Sequence, residues 1–224
     1  MEESLAKSYV IANGTTQDAN ETAALINRCL GHCVNSQLCS TLSNSHLAQV
    51  FVIKRTPSLK DRLLGNPEQI IAALCMQLLP GHALAKVDPP AFRNHWYSRV
   101  ALISFLAVEP HERQRGWSRP LIERAVKWAL TQHATHIAAV SWAPTRGVQS
   151  RDMLLRADFR ELAQVPMRKV QPDRLCHRCA GTCDCRAAVL IRPLSGPAWE
   201  SYQRQHQAGG SSQRRGSARS KKAP

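Results

Sequence analysis

The stretch Ser98 to Val108 (SRVALISFLAV) is apolar along almost its whole length and partly β-branched. A strand with one wet face would alternate apolar with polar residues, so this run reads as a strand buried on both faces. Glu109-Pro110 stops it, a polar, Arg-rich turn follows, and Leu121, Ile122, Ala125, Val126, Ala129 and Leu130 then recur at helical spacing. His136 to Trp142 (HIAAVSW) is the next strand. A helix between two strands returns the chain to the same end of a sheet, so the pair is expected to be parallel and the chain α/β.

Around this unit the other elements are shorter. Lys7 to Ala12 reads as a first strand, punctuated by Asn13-Gly14. Thr16 or Asp18 then caps a helix through Ala23, Leu25, Ile26 and Leu30. Residues 31–47 are polar and carry no clear period. Gln49 to Lys54 reads as a strand, and Ile70 to Leu79 as a strand or a short buried helix, ended by Pro80-Gly81. A helix through Met153 to Ala157, a strand over Val165 to Val170 and a last strand over Ala187 to Arg192 complete the pattern.

Hydrophobic residues make up 43% of the 224 residues, enough for one packed domain. No apolar run reaches the ~18 residues a transmembrane helix needs, so no membrane partner is expected. Met1 to Ser8 lacks the pattern of a secretory leader, and the expected location is cytoplasmic. The net charge is +14, of which Arg204, Arg214, Arg215, Arg219, Lys221 and Lys222 supply six with no acid nearby. Beyond Tyr202 no apolar residue exceeds Ala or Pro in size, so 203–224 is expected to be a disordered basic tail behind a domain of residues 1–202. A basic field favours polyanions, either nucleic acid or the phosphates of a cofactor.

The turn Arg113-Gln114-Arg115-Gly116-Trp117-Ser118-Arg119 precedes an amphipathic helix. A helix N-terminus offers unpaired N–H groups and the positive end of the dipole, which suits a pyrophosphate. Gly116 lets the backbone come close, and the arginines add charge-assisted contacts. Leu106 to Ile122 (LAVEPHERQRGWSRPLI) resembles the acetyl-CoA motif of GNAT N-acetyltransferases. That motif is a strand ending in Val, a Pro, then Arg-x-x-Gly-x-Gly/Ala and an apolar helix, with its Arg on Arg113 and its first Gly on Gly116. The likeness spans residues 5–195 in outline.

The resemblance implies a mixed, mostly antiparallel sheet with a central parallel strand pair that splays apart, flanked by helices. It places acetyl-CoA in the splay, with pantetheine along Leu106, Ala107 and Val108 and pyrophosphate over Arg113, Gln114, Arg115, Gly116, Trp117, Ser118 and Arg119. An acceptor amine of unknown identity then attacks the thioester directly. The sequence departs from the pattern at Ser118, where the family has Gly or Ala, and at Pro120 in the first helical turn. It departs again at Leu154, where the family's thiolate-protonating Tyr stands, and at Asp158, where it has Gly. His95, Tyr97, Ser104, Glu109 and Ser141 each qualify as a base or relay, and no one of them is singled out.

Cys176, Cys179, Cys183 and Cys185 lie within one short segment. Clustered thiols in a reducing compartment point to metal before disulfide, and four thiolates suit a closed, tetrahedral structural zinc. The Cys-x-Cys spacing is tight, so His177 or a distant cysteine can replace one ligand; unliganded thiols and an iron–sulfur cluster are the alternatives. Cys29 and Cys33, with His32, form a second candidate group for which a reduced, buried role is expected. Three functional readings follow: an acetyl-CoA-dependent N-acetyltransferase, a non-enzymatic zinc-containing nucleic-acid-binding protein using the basic tail, or a GNAT-fold enzyme acting on nucleic acid. Low aromatic content, 5%, leaves few stacking platforms for single strands and weighs against the second.

Overall fold

A computed structural model describes residues 9–30, 35–57, 63–64, 68–84, 98–143, 150–170 and 185–194. Seven strands form one sheet: β1 (Tyr9–Asn13), β2 (Ala48–Arg55), β3 (Gln69–Pro80), β4 (Arg99–Val108), β5 (His136–Ala143), β6 (Arg160–Pro166) and β7 (Arg186–Pro193). Their order is β1-β2-β3-β4-β5-β7-β6, and only β4 and β5 run parallel. Among the described residues the longer helices are α1 (Ala19–Leu30), α2 (Ser36–Asn44), α3 (Ser118–Thr131) and α4 (Ser150–Arg156), with single turns at Gly81–Leu84 and Met167–Val170. The mixed sheet with a central parallel pair is the expected fold class.

The two faces carry separate cores. On one, Leu121, Ile122, Ala125 and Ala129 of α3 pack with Ile103, Ile137, Leu74 and, from α4, Leu154. On the other, Ala23, Leu25 and Ile26 of α1 and Cys39 and Leu42 of α2 cover Val50, Val52, Ala73 and Cys75. Burial pushes the Cys39 and Cys75 thiols up, so both stay protonated apolar fillers at neutral pH.

Local chemistry explains where the elements begin. The Asp18 carboxylate accepts from the Thr15 N–H and hydroxyl at 2.9 Å each and meets Lys54 Nζ at 2.7 Å, closing the entry to α1. Burial works to raise that carboxyl, but Lys54 and Thr15 outweigh it and hold it below its ordinary value. A lowered carboxyl contributes stability above its ordinary value of 3.8 and loses it as pH falls further. Gly14 is required by space, since a Cβ there would lie 2.8 Å from Val50 Cγ1.

Two open readings are resolved and one expectation is revised. The uncommitted stretch 31–47 contains α2, whose cap is Asn35, with its side chain accepting the Leu38 N–H at 2.8 Å. Ile70 to Leu79 is a strand, because it is hydrogen-bonded on both sides, to β2 and β4. The strand placed over Val165 to Val170 lies earlier, at Arg160–Pro166, and Met167–Val170 is a single helical turn. Pro166 sits opposite Arg186 at the edge of the sheet, and the Met167 N–H still reaches Cys185 O at 2.8 Å before the chain turns into the helical segment.

Candidate active site

The parallel pairing of β4 with β5 covers only Val100↔His136 to Ile103↔Ala139. Beyond it β4 stays with β3 as far as Val108, and β5 stays with β7 as far as Ala143, so a gap opens between them. A register shift marks the divergence: Cys75 faces Phe105 while Met76 faces Ile103, leaving Ser104 as the extra residue of a bulge. Such an insertion bends and twists its strand, here at the point where the neighbours part.

The backbone beyond the bulge is oriented by alternation. Glu109 donates its N–H to Ile71 O at 2.8 Å, which aims Glu109 and Ala107 at β3 and aims Leu106 and Val108 into the gap. Of the expected strand contacts, Leu106 and Val108 therefore present peptide groups to a ligand, and Ala107 does not. The Val108 carbonyl is already engaged, accepting from Arg113 Nε at 3.1 Å and from Cys29 Sγ at 3.3 Å. Cys29 thus serves as a thiol donor. Burial raises its pKa and the Arg113 guanidinium offsets this in part, which agrees with a reduced, structural role. Cys33 and His32 lie outside the described residues.

The gap leads to the turn before α3. Gln114 has φ +63° and Gly116 φ +82°, with Arg115 between them in the ordinary negative region. Backbone that alternates hand turns successive N–H groups toward one concavity. The N–H groups of Glu112, Arg113 and Arg119 are bonded to Glu109, Pro110 and Gly116 carbonyls, while those of Gln114 to Ser118 make no well-formed hydrogen bond among the described residues. Pro120 sits in the first turn of α3, where its missing donor costs nothing. Trp117 packs on Tyr9 of β1 with ring centroids 4.5 Å apart, which fixes the start of α3 against the sheet.

The charges around this turn are paired. Arg115 Nη1 lies 3.2 Å from Glu112, a buried carboxylate whose Oε2 makes no well-aligned hydrogen bond, so the contact is Coulombic more than directional. Arg119 pairs with Glu123 one turn on at 3.0 Å. Glu109, also buried, is held by Arg28 of α1. Among the base candidates, Glu109 therefore appears as an ion-pair partner. Ser104 carries a buried hydroxyl with no hydrogen-bond partner. Ser141 is buried and its Oγ lies 2.5 Å from Ser150 Oγ. His95 and Tyr97 lie outside the described residues.

Leu154 is buried in the core under α4, and Asp158 ends that helix with φ +63°. The Phe159 N–H returns to Leu154 O at 3.1 Å and the Asp158 N–H to Leu155 O at 3.2 Å, a left-handed helix end. Asp tolerates this conformation better than most side chains, but Gly adopts it freely. Asp158→Gly is accordingly expected to raise stability by about 0.5–1 kcal/mol, read as a shift in the urea midpoint; an unchanged or lower midpoint counts against that account.

Cys176, Cys179 and Cys183 lie outside the described residues. Cys185 precedes β7, and its carbonyl accepts the Met167 N–H at 2.8 Å. Among the described residues no three metal-ligating side chains come together, and no helix is long and apolar enough to cross a membrane.

No family model and no curated protein matches this chain. Solved structures do. NAA60 of Arabidopsis thaliana in complex with acetyl-CoA aligns with TM-score 0.63 and 11% identity, over 84% of this chain and 100% of the other. The ribosomal-protein-S18-alanine N-acetyltransferase from Escherichia coli aligns with TM-score 0.56 and 12% identity, over 84% and 96%. A GNAT-family acetyltransferase from Streptococcus pneumoniae gives 0.53 and 11%, over 84% and 100%. Identities this low speak for architecture alone. The splayed parallel pair, the unpaired turn before α3 and these likenesses together give the chain the fold of the GNAT N-acetyltransferases.

Proposed function

We propose that this chain is an N-acetyltransferase that carries an acetyl group from acetyl-CoA to an amine by direct attack on the thioester. One observation carries the reading: the gap between β4 and β5 leads to a turn in which the N–H groups of Gln114 to Ser118 make no well-formed hydrogen bond among the described residues. The gap suits a pantetheine arm, whose amides can pair with the Leu106 peptide groups and the Val108 N–H. The turn suits a pyrophosphate, with Gly116 admitting it and Arg113, Arg115 and Arg119 around it. Ala107, Trp117 and Ser118 shape the same wall and helix start. The surplus proton of the amine passes to water, and the fold's main contribution is orientation.

Titration calorimetry with acetyl-CoA tests this. Saturable binding at one site per chain is expected, and its absence would refute the cofactor assignment while leaving the fold untouched. The zinc proposal for Cys176, Cys179, Cys183 and Cys185 is checked separately by elemental analysis, with about one equivalent expected for a closed thiolate site. Residues 1–202 are proposed as the transferase domain and 203–224 as its basic tail. The nucleic-acid-binding alternative draws on net charge and on residues outside those described, so the transferase reading is preferred.

A further inference from the structure

We propose that Ser141 is the acid that protonates the departing CoA thiolate, resupplied with a proton from solvent through Ser150; this rests on the transferase reading above. Ser141 stands on β5 two residues past Ala139, the last position joined to β4, so it borders the throat of the gap. The rest of β4 beyond the throat, Ser104 to Val108, spans about 16 Å at about 3.3 Å per residue, and the short turn Pro110–Glu112 carries the chain on to Gln114. An extended phosphopantetheine arm anchored by its phosphates at the turn is of comparable length, which brings the thioester to the throat.

What the throat offers there is a short hydroxyl path. Ser141 is 3% exposed, whereas Ser150, the first residue of α4, is exposed to solvent. Their hydroxyl oxygens are 2.5 Å apart. Ser141 Oγ also reaches the Trp142 carbonyl, at a longer 3.3 Å. With Ser150 donating to it, Ser141 holds one proton that is committed only to this weaker bond, so it can swing to a new acceptor. Among the described residues the other groups near the throat do not compete. Ile103, Ala139 and the buried Leu154 have no proton to give, and Ser104, on the opposite wall, has no hydrogen-bonded partner to replace one.

The step balances as follows. The amine nitrogen bonds to the thioester carbonyl carbon, the C–S bond breaks, and its electron pair stays on sulfur. The Ser141 proton passes to sulfur, the Ser150 proton passes to Ser141, and water reprotonates Ser150, while the surplus proton of the amine goes to water. The products are the N-acetylated amine and free CoA thiol.

The test is turnover of acetyl-CoA with a panel of free-amine peptides and small amines, read as thiol release, in wild type, Ser141→Ala and Ser150→Ala. Ser141→Ala is expected to lower kcat by about tenfold to a hundredfold with KM for acetyl-CoA unchanged, in line with the loss of an acid–base group. Wild-type kcat in mixed light and heavy water should follow a curve, because two protons move together, and Ser150→Ala should straighten it. A hydroxyl that merely ties α4 to β5 would leave that curve alone. A kcat in Ser141→Ala within twofold of wild type, or a loss carried by KM, overturns the relay. If Ser141→Ala does not fold, Ser150→Ala at its exposed position carries the same test. A wild type that binds acetyl-CoA but shows no dependence on Ser141 sinks the relay alone. A wild type that binds no acetyl-CoA, or turns over no amine, sinks the relay together with the reading beneath it.

Discussion

Gly116→Val is expected to lower acetyl-CoA affinity about fivefold to thirtyfold while the protein remains folded. The reason is backbone hand, and space plays no part. A Cβ added at position 116 meets no atom within 4 Å, so the substitution creates no clash. The φ of +82° is the obstacle, because an L side chain in the left-handed region costs roughly 1–2 kcal/mol and a β-branched one more. The turn escapes that cost by rotating position 116 to negative φ, and the N–H groups on either side then no longer converge. Losing 1–2 kcal/mol corresponds to a factor of about 5–30 in affinity. Asn, which tolerates the left-handed region, should fall between Gly and Val, so the expected order of affinity is Gly, Asn, Val. Calorimetry supplies the affinities and far-UV dichroism the control for folding. Equal affinity in all three would remove the turn from the cofactor site.

Residues with one strong local signal were the legible ones. The Ser98 to Val108 run, the helical spacing through Leu121 to Leu130 and the strand His136 to Trp142 are found as β4, α3 and β5. Local cues were thinner elsewhere. The β3 run is apolar at almost every position, which hides the difference between a buried strand and a buried helix until its partners β2 and β4 are known. The α2 signal existed in Asn35 followed by Leu38, Cys39 and Leu42, but the surrounding Ser, Gln and Asn diluted it.

At the site, the motif located the turn, yet the Gln114 conformation and the bulge at Ser104 are properties of the folded chain. Asp158 departs from the motif's Gly, and it ends α4 in a left-handed conformation that the sequence alone does not reveal. The hydroxyl pair of Ser141 and Ser150 was half legible. Ser141 could be named as a candidate, but its partner is set by how α4 docks on β5.

Arg28→Ala is expected to destabilise the protein by about 2 kcal/mol, and Glu109→Gln in the same background should restore a large part of that. The Glu109 side chain is 7% exposed and the Arg28 side chain 52%. Removing one partner of a fully buried pair costs roughly 3–5 kcal/mol, because the remaining charge is stranded in a poor solvent. Here water can reach the space that Arg28 leaves, which brings the figure down. Replacing the carboxylate by an amide removes the stranded charge, hence the recovery. Urea denaturation measures both, with an unchanged slope indicating that stability alone has moved. The same pair fixes the end of α1 beside the end of β4, where Cys29 already bonds Val108, so acetyl-CoA affinity should fall modestly in Arg28→Ala. The comparison also separates the two roles open to Glu109. A catalytic base would lose most of its kcat on Glu109→Gln with stability little changed. An anchor would lose stability through the Arg28 pair and keep most of its kcat, and that second pattern is the one expected. A coupling between the two positions below about 0.5 kcal/mol in the double-mutant cycle would reject the anchor.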